Sequence, residues 1–342
     1  MYTAIKLLLV ALAVWIVVRG VRARRAVTIV SGGLVLVGTF VFFGLLDLWG
    51  EFLWFETLGF SDRFWTVLVT QWLLALGAAA IASGALWLLT RPARADAWPL
   101  RAAAAGLAAV IGGLWGHANW DVWLRWLHGV EAGRADPVFG RDVGFYMFSL
   151  PLYDAVVSLV VILCLVALGL GLLSANLRLR DGQLERRSEE DPGTTRPVTA
   201  LWPAAGVLLL ALAVGKWLDR FHLLGSEWGA VHGAGWTDVH VRLPAYAITA
   251  AVALVLGLVV LVPPARRWLG TRTARLVGRE RVDPATPLLA AGAVLVVVWF
   301  LGLGLVPRVV QWLRVEPNEI SLEQPYIARN IEHTREAFGL DA

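Results

Sequence analysis

Lysine, cysteine and charge of either sign are scarce in this chain, and each shortage excludes something. The only lysines are Lys6 and Lys216, so arginine carries nearly all the positive charge. Cys164 is the single cysteine, which rules out an intramolecular disulfide and any Cys-based zinc site. Charged residues make up 16% of the sequence, against about 25% in soluble domains. With 58% hydrophobic residues and a mean hydropathy of +0.66, the composition points to an integral membrane protein. No GxSxG, Walker-type GxxxxGK(S/T), HExxH or paired-cysteine motif occurs. No acidic or basic residue falls in the middle of an apolar run, whereas ion-coupled transporters place such groups at mid-depth.

What is present is a series of apolar runs, near Tyr2–Val18, Ala26–Trp49, Phe64–Leu89, Ala102–Trp115, Leu152–Ala175, Val198–Leu218, Leu243–Val262 and Pro287–Val306. Roughly 20 apolar residues cross a hydrocarbon core, and Ala102–Trp115 is the shortest of the set. The connections alternate in arginine content. The first, third, fifth and seventh hold Arg19 to Arg25, Arg91 to Arg101, Arg178 to Arg196 and Arg266 to Arg281. The others are poorer in arginine and carry carboxylates such as Glu51, Asp62, Asp121, Asp136 and Asp238. The positive-inside rule puts the arginine-rich loops in the cytoplasm and both termini outside. Arginines spread over short loops, with a net charge of only +4, give no basic face for nucleic acid. The loop Arg178–Pro197 mixes signs and reads as solvated. Glycines inside the runs, Gly112 to Gly116 among them, read as close helix contacts.

The unusual residues fall on the predicted outer side. In HANWDVWLRWLHGV (His117–Val130), Trp120, Trp123 and Trp126 share one helical face while Asp121 and Arg125 pair on another. A short helix lying in the headgroup layer is expected there, and a similar one over Trp49–Phe60, which carries Trp54. An aromatic belt explains these interfacial tryptophans; a shelf contacting lipid or glycan is the sharper alternative. Lys216 and Asp219 are spaced for an i,i+3 ion pair at a span end. All six histidines fall outside on this topology, accompanied by carboxylates. Asp136, Asp142, Asp238, His232, His240 and Arg242 form the candidate functional cluster. Their spacing matches no metal motif, so no metal, cofactor or catalytic residue is assigned. Pro151 and Pro244 are expected to open helices, while Pro317, Asn318 and Pro325 should break regular structure before a helix over Tyr326–Phe338.

Four stretches stand out: LWFETLGFSDRFW (Leu53–Trp65), DPVFGRDVGFYMFSLPLYD (Asp136–Asp154), GAGWTDVHVRLPAY (Gly233–Tyr246) and EPNEISLEQPYIARNIEHTREAFGLD (Glu316–Asp341). Together they resemble the uncharacterised protein family 0182 of multi-pass bacterial membrane proteins. The resemblance implies a plasma-membrane location and a membrane region followed by a large extracytoplasmic domain. It implies no established activity. This chain departs from the pattern by ending at Ala342, near where that domain would start, and by an extra first span.

The expected fold is all-α: a polytopic transmembrane helix bundle of about eight spans with short interfacial helices on the outer face. Residues 1–306 are expected to form the bundle and 307–342 an extracytoplasmic tail. The leading functional reading is a non-enzymatic membrane anchor or assembly platform, with membrane lipids and envelope proteins as partners. A channel or transporter for a lipid or another apolar solute is the first alternative. An envelope enzyme acting on lipid-linked glycans is the second.

Overall fold

The computed structural model describes residues 2–91, 98–180, 183–186, 201–276 and 286–340. Among the described residues the chain is predominantly helical, and eight helical stretches are long and apolar enough to cross a membrane. It divides into two compact units, Met1–Thr70 and Gln71–Ala342.

The first unit holds α1 (Tyr2–Arg22), α2 (Ala26–Thr57) and the opening turns of α3 (Ser61–Leu89). Arg24 turns the chain between α1 and α2 at φ 52°, and the Arg25 N–H donates to the Gly20 carbonyl at 3.0 Å. The two helices then touch backbone to backbone. A Cβ on Gly20 would lie 2.8 Å from the Ile29 nitrogen, and one on Gly32 would lie 2.9 Å from that of Val17. Here the expectation of a separate interfacial helix over Trp49–Phe60 fails. No residue before Gly59, at φ 76°, breaks helical periodicity, so α2 runs unbroken through Trp49 and Trp54 to Thr57.

The second unit continues with α4 (Trp98–Ala118), α5 (Trp120–Leu127), α6 (Leu150–Asn176), α7 (Trp202–Asp219), α8 (Leu243–Leu261), α9 (Pro263–Leu276), α10 (Thr286–Trp299), α11 (Val306–Val310) and α12 (Glu319–Ala337). At 21 residues, α4 extends the shortest apolar run at both ends. An antiparallel hairpin, β1 (Leu177–Arg180) with β2 (Gln183–Arg186), follows α6 where a solvated loop was expected; residues 187–197 of that loop lie outside the described residues. The arginine-rich seventh connection contains α9, which the apolar pattern did not signal.

Lipid tails are as apolar as leucine, so helices in a bilayer associate through van der Waals packing rather than water exclusion. The cores reflect this in their small residues. Ala82 and Leu86 of α3, Ala104 and Ala108 of α4, Leu159, Leu163 and Ala167 of α6 and Ala204 of α7 form one. Trp202 and Leu209 of α7, Val260 of α8 and Ala291 of α10 form another.

Four π-helical segments share a cause. They cover Phe145–Ser149, Asp238–Arg242, Phe300–Leu305 and Gln311–Val315. Each ends two residues before a proline: Pro151, Pro244, Pro307 and Pro317. Proline has no N–H to close an i→i−4 bond, and its ring collides with the carbonyl at i−4. Widening the preceding turn to i→i+5 moves that carbonyl aside. Pro151 and Pro244 stand at the second residue of α6 and α8, in the first turn as expected from sequence, and in each case a π-helical turn leads directly into the α-helix. Pro325, by contrast, fails to break α12, which begins at Glu319 and runs through it.

Candidate functional site

The loops between helices gather into one layer within the second unit. The segment after α5, the segment after α7 and the tail helix α12 meet there, each held by its own local chemistry.

Asp136 organises the first segment. Its Oδ1 accepts the N–H groups of Val138 at 2.9 Å and Phe139 at 2.6 Å, and its Oδ2 accepts the Arg141 N–H at 2.9 Å and the Tyr146 hydroxyl at 2.7 Å. Burial opposes ionisation of this carboxyl, but those donors together outweigh it and hold it below the usual carboxylate range. Asp142 acts similarly at the other end of the loop. It accepts from the Ala132 N–H at 2.9 Å and the Gly144 N–H at 2.7 Å, and the Ala132 bond is the largest influence lowering its pKa. Both carboxylates are loop staples with their lone pairs engaged. Asp136→Asn should place an amide NH2 against donors it cannot accept from, destabilising the protein by about 2 kcal/mol at pH 7. A carboxyl with a depressed folded pKa stabilises above its unfolded value, about 3.9, and loses that contribution as pH falls through the folded value. Melting curves of wild type and Asp136→Asn in detergent should therefore converge as pH falls below about 4; a constant gap would remove this role.

Phe139, Phe145 and Tyr146 pack against Leu150, Leu218 and Phe221. α5 carries its tryptophans on one face, with the Trp123 and Trp126 rings 5.3 Å apart. The Asp121–Arg125 pair closes at 2.7 Å and Lys216–Asp219 at 2.6 Å. Trp120 and Trp123 are half-buried; Trp126 and Trp54 are exposed.

The second segment carries a buried polar network. Asp238, only 1% exposed, accepts from Arg242 Nη1 at 2.6 Å and from the Gly235 N–H at 3.2 Å. Arg242 also donates to Ser226 Oγ at 3.1 Å and lies over the Trp228 ring. Thr237 donates its hydroxyl to Gln311. Into this network α12 inserts Glu323, also 1% exposed. Its Oε1 accepts the Trp236 N–H at 3.0 Å, while its Oε2 has no partner among the described residues. The carboxyl lies flat against Gly235, where a Cβ would sit 3.0 and 3.1 Å from its two oxygens, and near Gly229, where a Cβ would sit 3.3 Å away.

Other contacts extend this seam. Asn330 donates to the His232 carbonyl at 2.7 Å, and Arg134 pairs with Glu336 at 3.1 Å. His240 stacks on Trp236 at 4.5 Å and stands 3.4 Å from the Tyr326 hydroxyl. A cleft of about 650 Å3 runs along the seam, lined by Asp136, His232, Tyr326, Arg329, His333 and Phe338 among others.

The six residues singled out from sequence therefore share one layer but not one reactive centre. Asp136 and Asp142 bind their own loop, Asp238 and Arg242 bind each other, His240 stacks, and the His232 side chain is exposed. Among the described residues, no group of three or more His, Cys, Asp or Glu side chains converges closely enough to hold a metal ion. Sequence reasoning missed Glu323. Its counterpart is a backbone N–H 87 positions upstream, and the only signal was the run of glycines at 229, 233 and 235.

Comparison with known proteins agrees with this architecture in extent. The uncharacterised protein family (UPF0182) matches residues 90–342. The chain is 33% identical over 345 residues to a UPF0182 protein of Cupriavidus necator, covering 93% of this chain and 35% of that protein. It is 32% identical over 344 residues to a UPF0182 protein of Synechococcus sp. (strain JA-3-3Ab), with 90% and 37% covered. It is 32% identical over 349 residues to one of Mycobacterium tuberculosis, with 94% and 34% covered. The chain thus spans about a third of the length of these curated relatives. No solved structure matches it.

Proposed function

This chain belongs to the uncharacterised protein family UPF0182, and we propose that it works as a plasma-membrane anchor and assembly platform whose loop layer faces out of the cell. The observation that carries the reading is the seating of α12. Glu323 occupies a slot in the loop after α7, Asn330 grips the main chain of that same loop, and Glu336 reaches the loop after α5. A helix pinned to two separate loops is held against the layer rather than trailing from it. The engaged lone pairs of Asp136 and Asp142 favour a scaffold over acid–base chemistry, which needs carboxyl groups free to exchange protons with a substrate. In this role the platform presents α12, and whatever it carries, at a fixed height above the bilayer for other envelope components to recognise.

The orientation rests on the arginine-rich loops staying in the cytoplasm. In a chain whose Cys164 has been replaced by Ala, cysteines at Glu131 and Glu332 should react with a membrane-impermeant maleimide on whole cells. A cysteine at Arg272 should react only after permeabilisation. Reaction of the Arg272 position on intact cells, with Glu131 and Glu332 protected, would overturn the outward platform.

A further inference from the structure

We propose that Arg220 and Arg141 hold the phosphate of a membrane phospholipid headgroup against the aromatic cluster where α6 begins and α7 ends. Arg220 immediately follows Asp219, the last residue of α7. A guanidinium at the end of a helix long enough to span stands at headgroup depth. It stacks on Trp217, with Cζ 3.8 Å from the ring centre, and faces Phe139 at 5.9 Å. Its Nε and Nη1 are buried and meet no acceptor among the described residues.

Neighbouring carboxylates do not neutralise it. Asp219 is taken by Lys216 at 2.6 Å, Asp154 by His222 at 2.7 Å, and Asp136 by its own loop and Tyr146. Burial alone pushes the Arg220 guanidinium below its ordinary pKa, with no carboxylate opposing the shift. An arginine does not lose its proton in a protein, so the charge calls for an anion from outside the chain.

Arg141 stands across the same cluster. Its Cζ lies 4.9 Å from the Phe145 ring centre and 5.6 Å from that of Phe221. Its side chain is exposed to solvent and has no ion pair with a carboxylate among the described residues. Phe221 joins the two arginines, packing on Phe139 at 4.9 Å and on Phe145 at 5.0 Å. Guanidinium forks match phosphate oxygens in shape and charge.

The occupant is a lipid rather than free phosphate because of what lies toward the bilayer. Trp217 and Val214 are each 50% exposed on one strip of α7, which gives an acyl chain a surface continuous with the guanidinium. Headgroup and tail are thereby recognised together.

Native mass spectrometry of the purified chain, titrated with phosphatidylglycerol in detergent, tests this. Wild type should retain one lipid, and Arg220→Gln should weaken retention about tenfold, the loss of one charge-assisted contact. Arg141→Gln should weaken it as well; Arg141 is exposed, so this arm does not depend on how Arg220→Gln folds. Arg125→Gln, which alters a guanidinium already paired with Asp121, should leave retention unchanged. Diacylglycerol, which lacks the phosphate, should not be retained, and millimolar inorganic phosphate should not compete. Equal retention by Arg141→Gln, retention of diacylglycerol like that of phosphatidylglycerol, or displacement by inorganic phosphate would each overturn the assignment. None of these readouts depends on α12, so the lipid site and the platform stand or fall separately.

Discussion

Glu323→Ala is expected to release α12 from the loop layer, raising amide exchange across residues 319–337 by about 10–100-fold. The contacts along the seam are unequal, and their magnitudes decide which one holds it. Arg134–Glu336 is an exposed pair, with side chains 59% and 45% accessible, and such pairs contribute about 0–1 kcal/mol. The Tyr326–His240 contact is long at 3.4 Å. Glu323 is fully buried and accepts a backbone N–H; removing it orphans that donor and opens a cavity, a loss of about 2–3 kcal/mol. Glu323→Gln should behave differently. The amide keeps an acceptor for the Trp236 N–H and replaces a buried carboxyl whose Oε2 has no donor among the described residues, so the tail should stay docked. Gly235→Ala supplies an independent route, since its Cβ would crowd both carboxyl oxygens. Exchange in Glu323→Ala and Gly235→Ala matching wild type, measured by hydrogen–deuterium mass spectrometry, would remove Glu323 as the anchor.

The same residues show what the sequence could and could not reveal. Apolar run length located each of the eight helical stretches found among the described residues, because crossing a hydrocarbon core needs a minimum apolar length; it did not set their ends, and α2 continues past Trp49 to Thr57. Pairs within one helix were equally readable: Asp121–Arg125 and Lys216–Asp219 follow from helical spacing alone. Pro151 and Pro244 were readable because a first-turn proline is a local signal, and they stand at the second residue of α6 and α8; Pro325 was misread, since α12 runs through it. Trp49–Phe60 was misread because its interleaved glutamates suggested an interface, yet Glu51 and Glu56 lie on the surface of an unbroken α2. The candidate residues share one layer, but each is bound locally. Asp136 and Asp142 turn inward to their own loop, and the residue that ties the layer together, Glu323, pairs across a sequence distance that periodicity does not encode.

Gly116→Ala is expected to force α3 and α4 apart and to lower the melting temperature in detergent by about 5 °C. A Cβ on Gly116 would lie 2.3 Å from the Leu74 carbonyl oxygen and 2.6 Å from its carbon. One turn away, a Cβ on Gly112 would lie 2.4 Å from the Ala78 oxygen and 2.6 Å from the Ala82 Cβ. Because the obstacles are backbone atoms, no rotamer change relieves them and the helices themselves must move. Leu74, Ala78 and Ala82 recur every four residues on α3, so the two glycines form a small-xxx-small face against a matching ridge. Separating them strips contacts from the core in which Ala82 and Leu86 meet Ala104, Ala108 and α6, and in a bilayer those contacts are the stabilising term. Gly113 provides the internal control. Its Cβ would meet only Ala75 oxygen and Ala79 Cβ, both at 3.7 Å, an ordinary contact, and alanine favours the helix over glycine by about 1 kcal/mol. Gly113→Ala should therefore be neutral or stabilising, although it sits between the two sensitive positions in the same turn. Equal melting temperatures for Gly116→Ala and Gly113→Ala would mean that α3 and α4 do not cross at backbone contact.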